Sequence, residues 1–281
     1  MQTEDPLVSA EWLVRNIAAP DVRIVDATWF APFTHPPETG RQAWMRGHIP
    51  KAVHFDIDEI ADTSSDLPHM LPDAVKFSSR VRRLGLGDGN RIIIYDQNTF
   101  FASARAWWMF RVMGHKDVYV LDGGLKAWIA AGGELDDMPP ITGERHFTPR
   151  VRTDLVIDAN GIEALIGKAK TTIIDARPDG RFSGRDPEPR AGLASGHIPG
   201  SINLPGSQLI AAEGRMKSAA ELMQLFKDPK APTVTTCGSG VTAAITALAL
   251  ARLGNWDVAV YDGSWADWAS DPSRPIAKAS A

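Results

Sequence analysis

The 281-residue chain has a single cysteine, Cys237, and that scarcity is informative. One thiol forms no intramolecular disulfide, so a disulfide-stapled scaffold is excluded; a lone thiol suits a reducing compartment, and a cytoplasmic location is expected. No run of about 20 apolar residues occurs, which argues against a helical membrane span. The opening stretch, Met1 to Val14, carries Glu4 and Asp5 and no apolar segment, so no signal peptide is read there. Positive charge is also short. Thirty Lys and Arg against 34 Asp and Glu leave a net charge of -4, without the basic stripe that a nucleic-acid surface needs. Neither a nucleic acid nor a membrane is expected as a partner.

What the chain has in quantity is itself. Ile24-Val25-Asp26-Ala27 returns as Ile173-Ile174-Asp175-Ala176, and Gly47-His48-Ile49-Pro50 as Gly196-His197-Ile198-Pro199, both 149 residues later. Val118 to Gly123, with Trp128 behind it, returns at an offset of 140 as Val258 to Gly263 with Trp268. Three motifs in one order make the chain two copies of one domain. In each copy, short β-branched runs (23–25, 92–95, 118–121; then 172–174, 233–236, 258–261) read as buried strands. Helical stretches at 102–113 and 242–253 follow, each closed by a glycine, Gly114 or Gly254, in the position of a left-handed cap. Alternating strands and helices predict an α/β fold in which each domain is a mainly parallel sheet flanked by helices. The expected division is a non-catalytic domain at 1–138, a linker rich in Pro and Gly at 139–154 and a catalytic domain at 155–281, with a loose tail from Asp271.

Duplication supplies an internal control. Residues kept in both copies serve the shared fold first, as His48 and His197, Asp26 and Asp175, and Asp122 and Asp262 do. The copies part after the third of these strands. The second reads Thr236-Cys237-Gly238-Ser239-Gly240-Val241-Thr242, the first Tyr95-Asp96-Gln97-Asn98-Thr99-Phe100-Phe101, so Asp96 or Gln97 stands where the cysteine does. A free cysteine is often just a small buried hydrophobe. Here, however, it ends a strand and opens a glycine-bearing loop that runs into a helix. Gly238 and Gly240 let successive amides turn inward as an anion nest, and the helix N-terminus adds positive partial charge. A thiolate is stabilised in such a place, and a persulfide anion fits the same cradle.

The Cys237 to Ala243 loop resembles that of the tandem rhodanese family, and among its members the 3-mercaptopyruvate sulfurtransferases. The resemblance spans residues 7–270 and takes in Phe55-Asp56-Ile57-Asp58, Pro68-His69-Met70-Leu71-Pro72, both Gly-His-Ile-Pro turns, Pro187-Glu188-Pro189-Arg190 and Tyr261-Asp262-Gly263-Ser264-Trp265. It implies two tandem rhodanese-like domains and transfer of sulfane sulfur from 3-mercaptopyruvate to Cys237, with release of pyruvate. A thiol or cyanide acceptor, including a thioredoxin-like protein, would then take the sulfur; no cofactor and no metal are implied. It also implies that Arg181 and Arg190 hold the donor, that Gly238, Gly240, Val241 and Thr242 line its loop, and that Ser239 and His48 act in catalysis. The nearest match for the family's upstream acid is Glu38. The arginine pair is chemically apt, because a carboxylate beside a keto group is gripped by a guanidinium fork and not by a lysine. The first copy's matching stretch, 34–45, offers only Arg41.

Three other readings compete. Rhodaneses that prefer thiosulfate carry Arg and Lys in this loop, and this loop carries neither. A phosphatase of the same fold needs an arginine six positions after its cysteine; here that position is Ala243. A purely interacting module fits the first copy but not a complete cysteine loop in the second.

Overall fold

In a computed structural model, residues 5–32 and 38–278 are described. The chain forms two compact units. The first comprises Met1–Thr63, Leu71–Arg152 and Ala212–Met216; the second comprises Ser64–Met70, Thr153–Ala211 and Lys217–Ala281. Thr34 to Pro37 of the first copy's donor-site counterpart, and the last three residues of the tail, lie outside the described residues.

The first unit holds strands β1 (Leu7–Val8), β2 (Val22–Asp26), β3 (Val53–His54), β4 (Arg91–Tyr95) and β5 (Val118–Leu121). Their order in the sheet is β1-β5-β4-β2-β3, with every pairing parallel. Helices α1 (Ala10–Asn16), α2 (Gly40–Arg46), α3 (Ile57–Ile60), α4 (Ala74–Arg83), α5 (Ser103–Val112) and α6 (Gly124–Ala130) connect them. The second unit repeats the plan with β6 (Val156–Ile157), β7 (Thr172–Asp175), β8 (Ile202–Asn203), β9 (Thr233–Thr236) and β10 (Ala259–Tyr261), ordered β6-β10-β9-β7-β8 and again all parallel. Its helices are α7 (Ala159–Leu165), α8 (Asp179–Ser183), α9 (Ala219–Met223), α10 (Ala243–Arg252) and α11 (Ser264–Trp268).

The central strands owe their place to β-branched and aromatic runs buried on both faces, as parallel strands must be. Helices α5 and α10 are buried almost all round, so they carry no polar stripe and lie inside the covering layer. Gly114 and Gly254 sit at positive φ just past their ends, as expected of left-handed caps. Ile24, Ile93, Tyr95, Leu121 and Trp128 anchor the core of the first unit; Ile162, Ile173, Val234, Tyr261 and Trp268 anchor that of the second.

Strand register settles the correspondence between the copies. Asp26 pairs with Tyr95, and Asp175 pairs with Thr236. Tyr95 therefore matches Thr236, and the residue in the place of Cys237 is Asp96 rather than Gln97.

One expectation needs correction. The tail is not loose up to Lys278: Ala277 forms an antiparallel bridge with His197, and Trp268 Nε1 donates to Pro275 O at 2.9 Å. The bridge repeats one in the first unit between His48 and Asp136, so the segment belongs to the duplicated domain. The stretch read as the linker is bonded back to the first unit. Arg150 N donates to Met113 O at 2.9 Å, Arg152 N to Val112 O at 2.7 Å and Asp88 N to His146 O at 2.7 Å. Gly114 allows this approach, since a Cβ there would lie 2.3 Å from Arg150 O.

Candidate active site

Strand β9 delivers Cys237 to the end of the second sheet, where the residue is 2% exposed. Its backbone is tied down on both sides. The Cys237 N–H donates to Ser264 Oγ at 3.1 Å, and Ser264 Oγ donates in turn to Tyr261 O at 2.7 Å. The carbonyls of Cys237 and Gly238 accept from Trp265 N and Ala266 N, each at 3.0 Å. Ser264 does this from a φ of +50°, where its counterpart in the first copy is Gly124 at +55°. A non-glycine residue in that region stores strain, and the hydroxyl is what the second copy gains for it. Comparing Asp122-Gly123-Gly124 with Asp262-Gly263-Ser264 would have exposed this residue; the sequence reading passed over it.

The loop then curls, with Gly240 at φ +76°. Gly238 needs no positive φ; its lack of a side chain serves space instead, since a Cβ there would lie 3.1 Å from one Arg181 nitrogen and 3.7 Å from one of Arg190. Ser239 and Val241 are buried, and Thr242 is half-buried at the start of α10. The N–H groups of Gly238, Ser239, Val241, Thr242 and Ala243 donate to no acceptor among the described residues, and neither does the Ser239 hydroxyl. No side chain caps α10. Thr242 and Ala243 open the first turn of α10, whose amides have no intrahelical acceptor, and with those of Gly238, Ser239 and Val241 they gather unpaired donors beside the cysteine, an arrangement suited to an anion.

The first unit shows what such a loop does when its anion is built in. Asp96 is fully buried, and its carboxylate accepts from Phe100 N at 2.9 Å, Ala102 N at 3.1 Å and Ser103 N at 2.9 Å. Burial pushes its pKa above the ordinary carboxylate range, while the amides of Ser103 and Ala102 pull it back down.

The arginines belong to a ladder of charge. The Asp175 carboxylate, at the end of β7, accepts from Arg177 Nε at 3.1 Å and from a terminal nitrogen at 2.6 Å. The Arg177 guanidinium lies 4.2 Å from the Trp265 ring centre and donates onward to Glu188 at 2.8 Å. The second Glu188 oxygen accepts from Arg181 at 2.5 Å and from its Nε at 3.2 Å. Arg190 stands apart: no described carboxylate lies within ion-pair reach of it. Burial lowers its pKa; Cys237 opposes that effect and Arg181 adds to it. Arg177 and Glu188 were not singled out from sequence, although Asp-Ala-Arg177 against Asp-Ala-Thr28 is a difference between the copies.

The remaining sequence candidates lie in the first unit. His48 is fully buried, its Nδ1 is 2.8 Å from Trp44 O, and its ring stacks on Trp44 at 4.7 Å. His197 does the same against Phe182, with 2.8 Å to the carbonyl and 3.9 Å between rings. Both occupy the same place in their turns, but His48 Nε2 is buried and meets no partner among the described residues, so the turn accounts for one ring nitrogen only; the chemistry below draws no step from it. Glu38 forms an ion pair with Arg46.

Comparison with known proteins agrees with this architecture. The rhodanese-like domain model matches twice, at residues 9–131 and 158–271. The 3-mercaptopyruvate sulfurtransferase of Escherichia coli K12 is 37% identical over 96% of both chains. The thiosulfate sulfurtransferase of Gallus gallus is 40% identical over 93% of this chain and 92% of its own. The crystal structure of SseA from Escherichia coli superposes with a TM-score of 0.84 at 36% identity, covering 93% of this chain and 99% of that one. The chain belongs to the rhodanese family, with two rhodanese-like domains in tandem.

Proposed function

We propose that this protein is a 3-mercaptopyruvate sulfurtransferase working through a persulfide on Cys237. The nest of five unpaired amides around a buried cysteine carries the reading, because it holds a negative charge at the one nucleophilic sulfur of the chain. Arg181 and Arg190 flank Gly238 and present guanidinium groups to the carboxylate and keto oxygens of a 2-oxo acid. The Cys237 thiolate forms an S–S bond to the donor sulfur as the C–S bond breaks. That electron pair passes into the enolate of pyruvate, which is protonated on carbon by the proton the sulfur gives up. Arg181 and Arg190 stabilise the charge on the enolate oxygen, and the Ser239 hydroxyl, unpaired in the structure, has a bond to offer it. The loop of Gly238, Gly240, Val241 and Thr242 then holds the persulfide anion until an acceptor thiolate, or cyanide, attacks the outer sulfur and restores the Cys237 thiolate. A small thiol or a thioredoxin-like protein in a reducing, cytoplasmic setting suits that second step, since the persulfide must survive until a thiol meets it.

Steady-state kinetics with 3-mercaptopyruvate and with thiosulfate test the reading. 3-Mercaptopyruvate is expected to be the better donor, to add 32 Da (one sulfur, about that mass) to Cys237 in a single turnover, and to be inert with Cys237→Ser, whose hydroxyl forms no persulfide. A higher kcat/KM with thiosulfate would transfer the assignment to thiosulfate:cyanide sulfurtransferase. Pyruvate formation by folded Cys237→Ser would remove the cysteine from the chemistry.

A further inference from the structure

The donor site holds more charge than the donor needs, and one residue apportions it. Three arginines (Arg177, Arg181, Arg190) and two carboxylates (Asp175, Glu188) stand behind the cysteine loop, leaving one net positive charge. Asp175 answers Arg177. Glu188 bridges Arg177 and Arg181 and contacts no other described group, and its side chain is 2% exposed where that of Arg181 is 20% exposed. The carboxylate therefore sits behind the guanidinium groups, out of reach of a donor, and acts through the fork of Arg181 it fixes and through its field on Arg190. We infer that Glu188 is a positioning and specificity-determining residue: by cancelling one guanidinium charge and fixing the Arg181 fork, it sets the site for a monoanionic 2-oxo acid and against a dianionic sulfur donor.

The argument is electrostatic. With the Cys237 thiolate formed, the six groups sum to zero. A monoanion then enters at a total of −1 and a dianion at −2. Removing the Glu188 charge makes these 0 and −1, and the second negative charge of a dianion gains the larger share. The loop offers no side-chain cation to do this, so the ladder behind it is where the balance is struck. The pattern also explains why Arg190, not Arg181, is left without a carboxylate: one guanidinium is held in place, the other is free to pair with the donor. A Cβ on Gly238 would lie 3.1 Å from an Arg181 nitrogen and 3.7 Å from an Arg190 nitrogen, so the two guanidinium groups are neighbours, and Glu188 favours the charge on Arg190 where Arg181 opposes it.

This inference rests on the donor reading above, and its test is separable from it. Glu188→Gln keeps the shape and an acceptor for Arg181 while removing the charge. Arg177 retains Asp175, so its own charge stays matched. The variant should fold, as circular dichroism checks. The expected result is a rise of about tenfold or more in the ratio of kcat/KM for thiosulfate to that for 3-mercaptopyruvate, equivalent to about 1.4 kcal/mol. Glu188→Asp keeps the charge on a shorter arm; it should lower kcat/KM for both donors and leave their ratio within about twofold of wild type. A purely structural glutamate would depress both donors alike in both variants, and that result overturns the inference, as does a ratio that moves about tenfold in Glu188→Asp. The latter holds even if Glu188→Gln proves unfolded. If the wild-type protein used no 3-mercaptopyruvate at all, the donor reading would fail first and visibly.

Discussion

Arg190 and Arg181 face the same loop but are held differently, and exchanging each for lysine separates binding from scaffolding. Lysine keeps the charge of Arg190 but replaces a planar fork by a point, so one of two parallel contacts to the donor is lost. A hydrogen bond to a charged group is worth about 1.5–3 kcal/mol, which converts to a fall of roughly 10- to 150-fold in kcat/KM for 3-mercaptopyruvate. The folded protein loses little, because no described carboxylate pairs with Arg190. Its stability should stay within about 0.5 kcal/mol of wild type, as for substitutions outside structural networks. Arg181→Lys is expected to show a similar kinetic loss together with a loss of stability of about 1 kcal/mol, since it also forfeits the paired contacts to Glu188. The assay is pyruvate release with a small thiol acceptor, run beside urea unfolding of the same preparations. Wild-type kcat/KM in Arg190→Lys would place that arginine outside the donor site. An equal stability loss in both variants would refute the claim that only Arg181 is structurally tied.

Two further outcomes follow from buried polar groups. Ser264→Ala leaves the Cys237 N–H buried without its acceptor while keeping the positive φ, so it should cost about 1–3 kcal/mol of stability and lower kcat by loosening the cysteine; Ser264→Gly, which relieves the backbone, should cost less, and equal urea midpoints for the two would contradict this account. Burial lowers the pKa of both His54 and His115, so the folded first unit keeps them neutral where the unfolded chain protonates them. Their contribution is therefore fully present above the unfolded value of about 6.5 and is lost as pH falls towards their lower folded values. The unfolding free energy from urea titrations should drop between pH 7.5 and pH 5.5, by up to about 1.4 kcal/mol per pH unit for each histidine, and His54→Gln with His115→Gln should flatten that slope.

Much of this architecture is legible in the sequence, because duplication lets the chain annotate itself. The six central strands and the two enclosed helices are found within a residue or two, since β-branched runs and capping glycines are local signals. The edge strands β1, β3, β6 and β8 span two residues each and carry no periodicity to read. Whether Asp96 or Gln97 replaces the cysteine could not be read from a loop one residue longer; pairing of Asp26 with Tyr95 decides it. The tail after Asp271 misleads because its Pro and Ser content is that of a free end, whereas its order comes from a distant partner, His197. Arg177, Glu188 and Ser264 are missed for a related reason. Each acts on a neighbour of the reacting group, and composition gives no sign of which neighbour a side chain will find.

Asp96 has a consequence for how the two domains age through a catalytic cycle. In the first domain the group that closes the loop is a side chain of the protein itself, so its three amides are occupied for the life of the protein. In the second, under the proposed cycle, a thiolate fills the same chair before loading and a persulfide anion after it, so the charge stays and moves outward by one sulfur. Folding energy and loading are thereby linked in one domain and uncoupled in the other, because whatever binds the folded loop also stabilises it. Any difference between the two anions therefore reaches the stability of the second domain alone, while the first, closed by its own side chain, does not register the cycle.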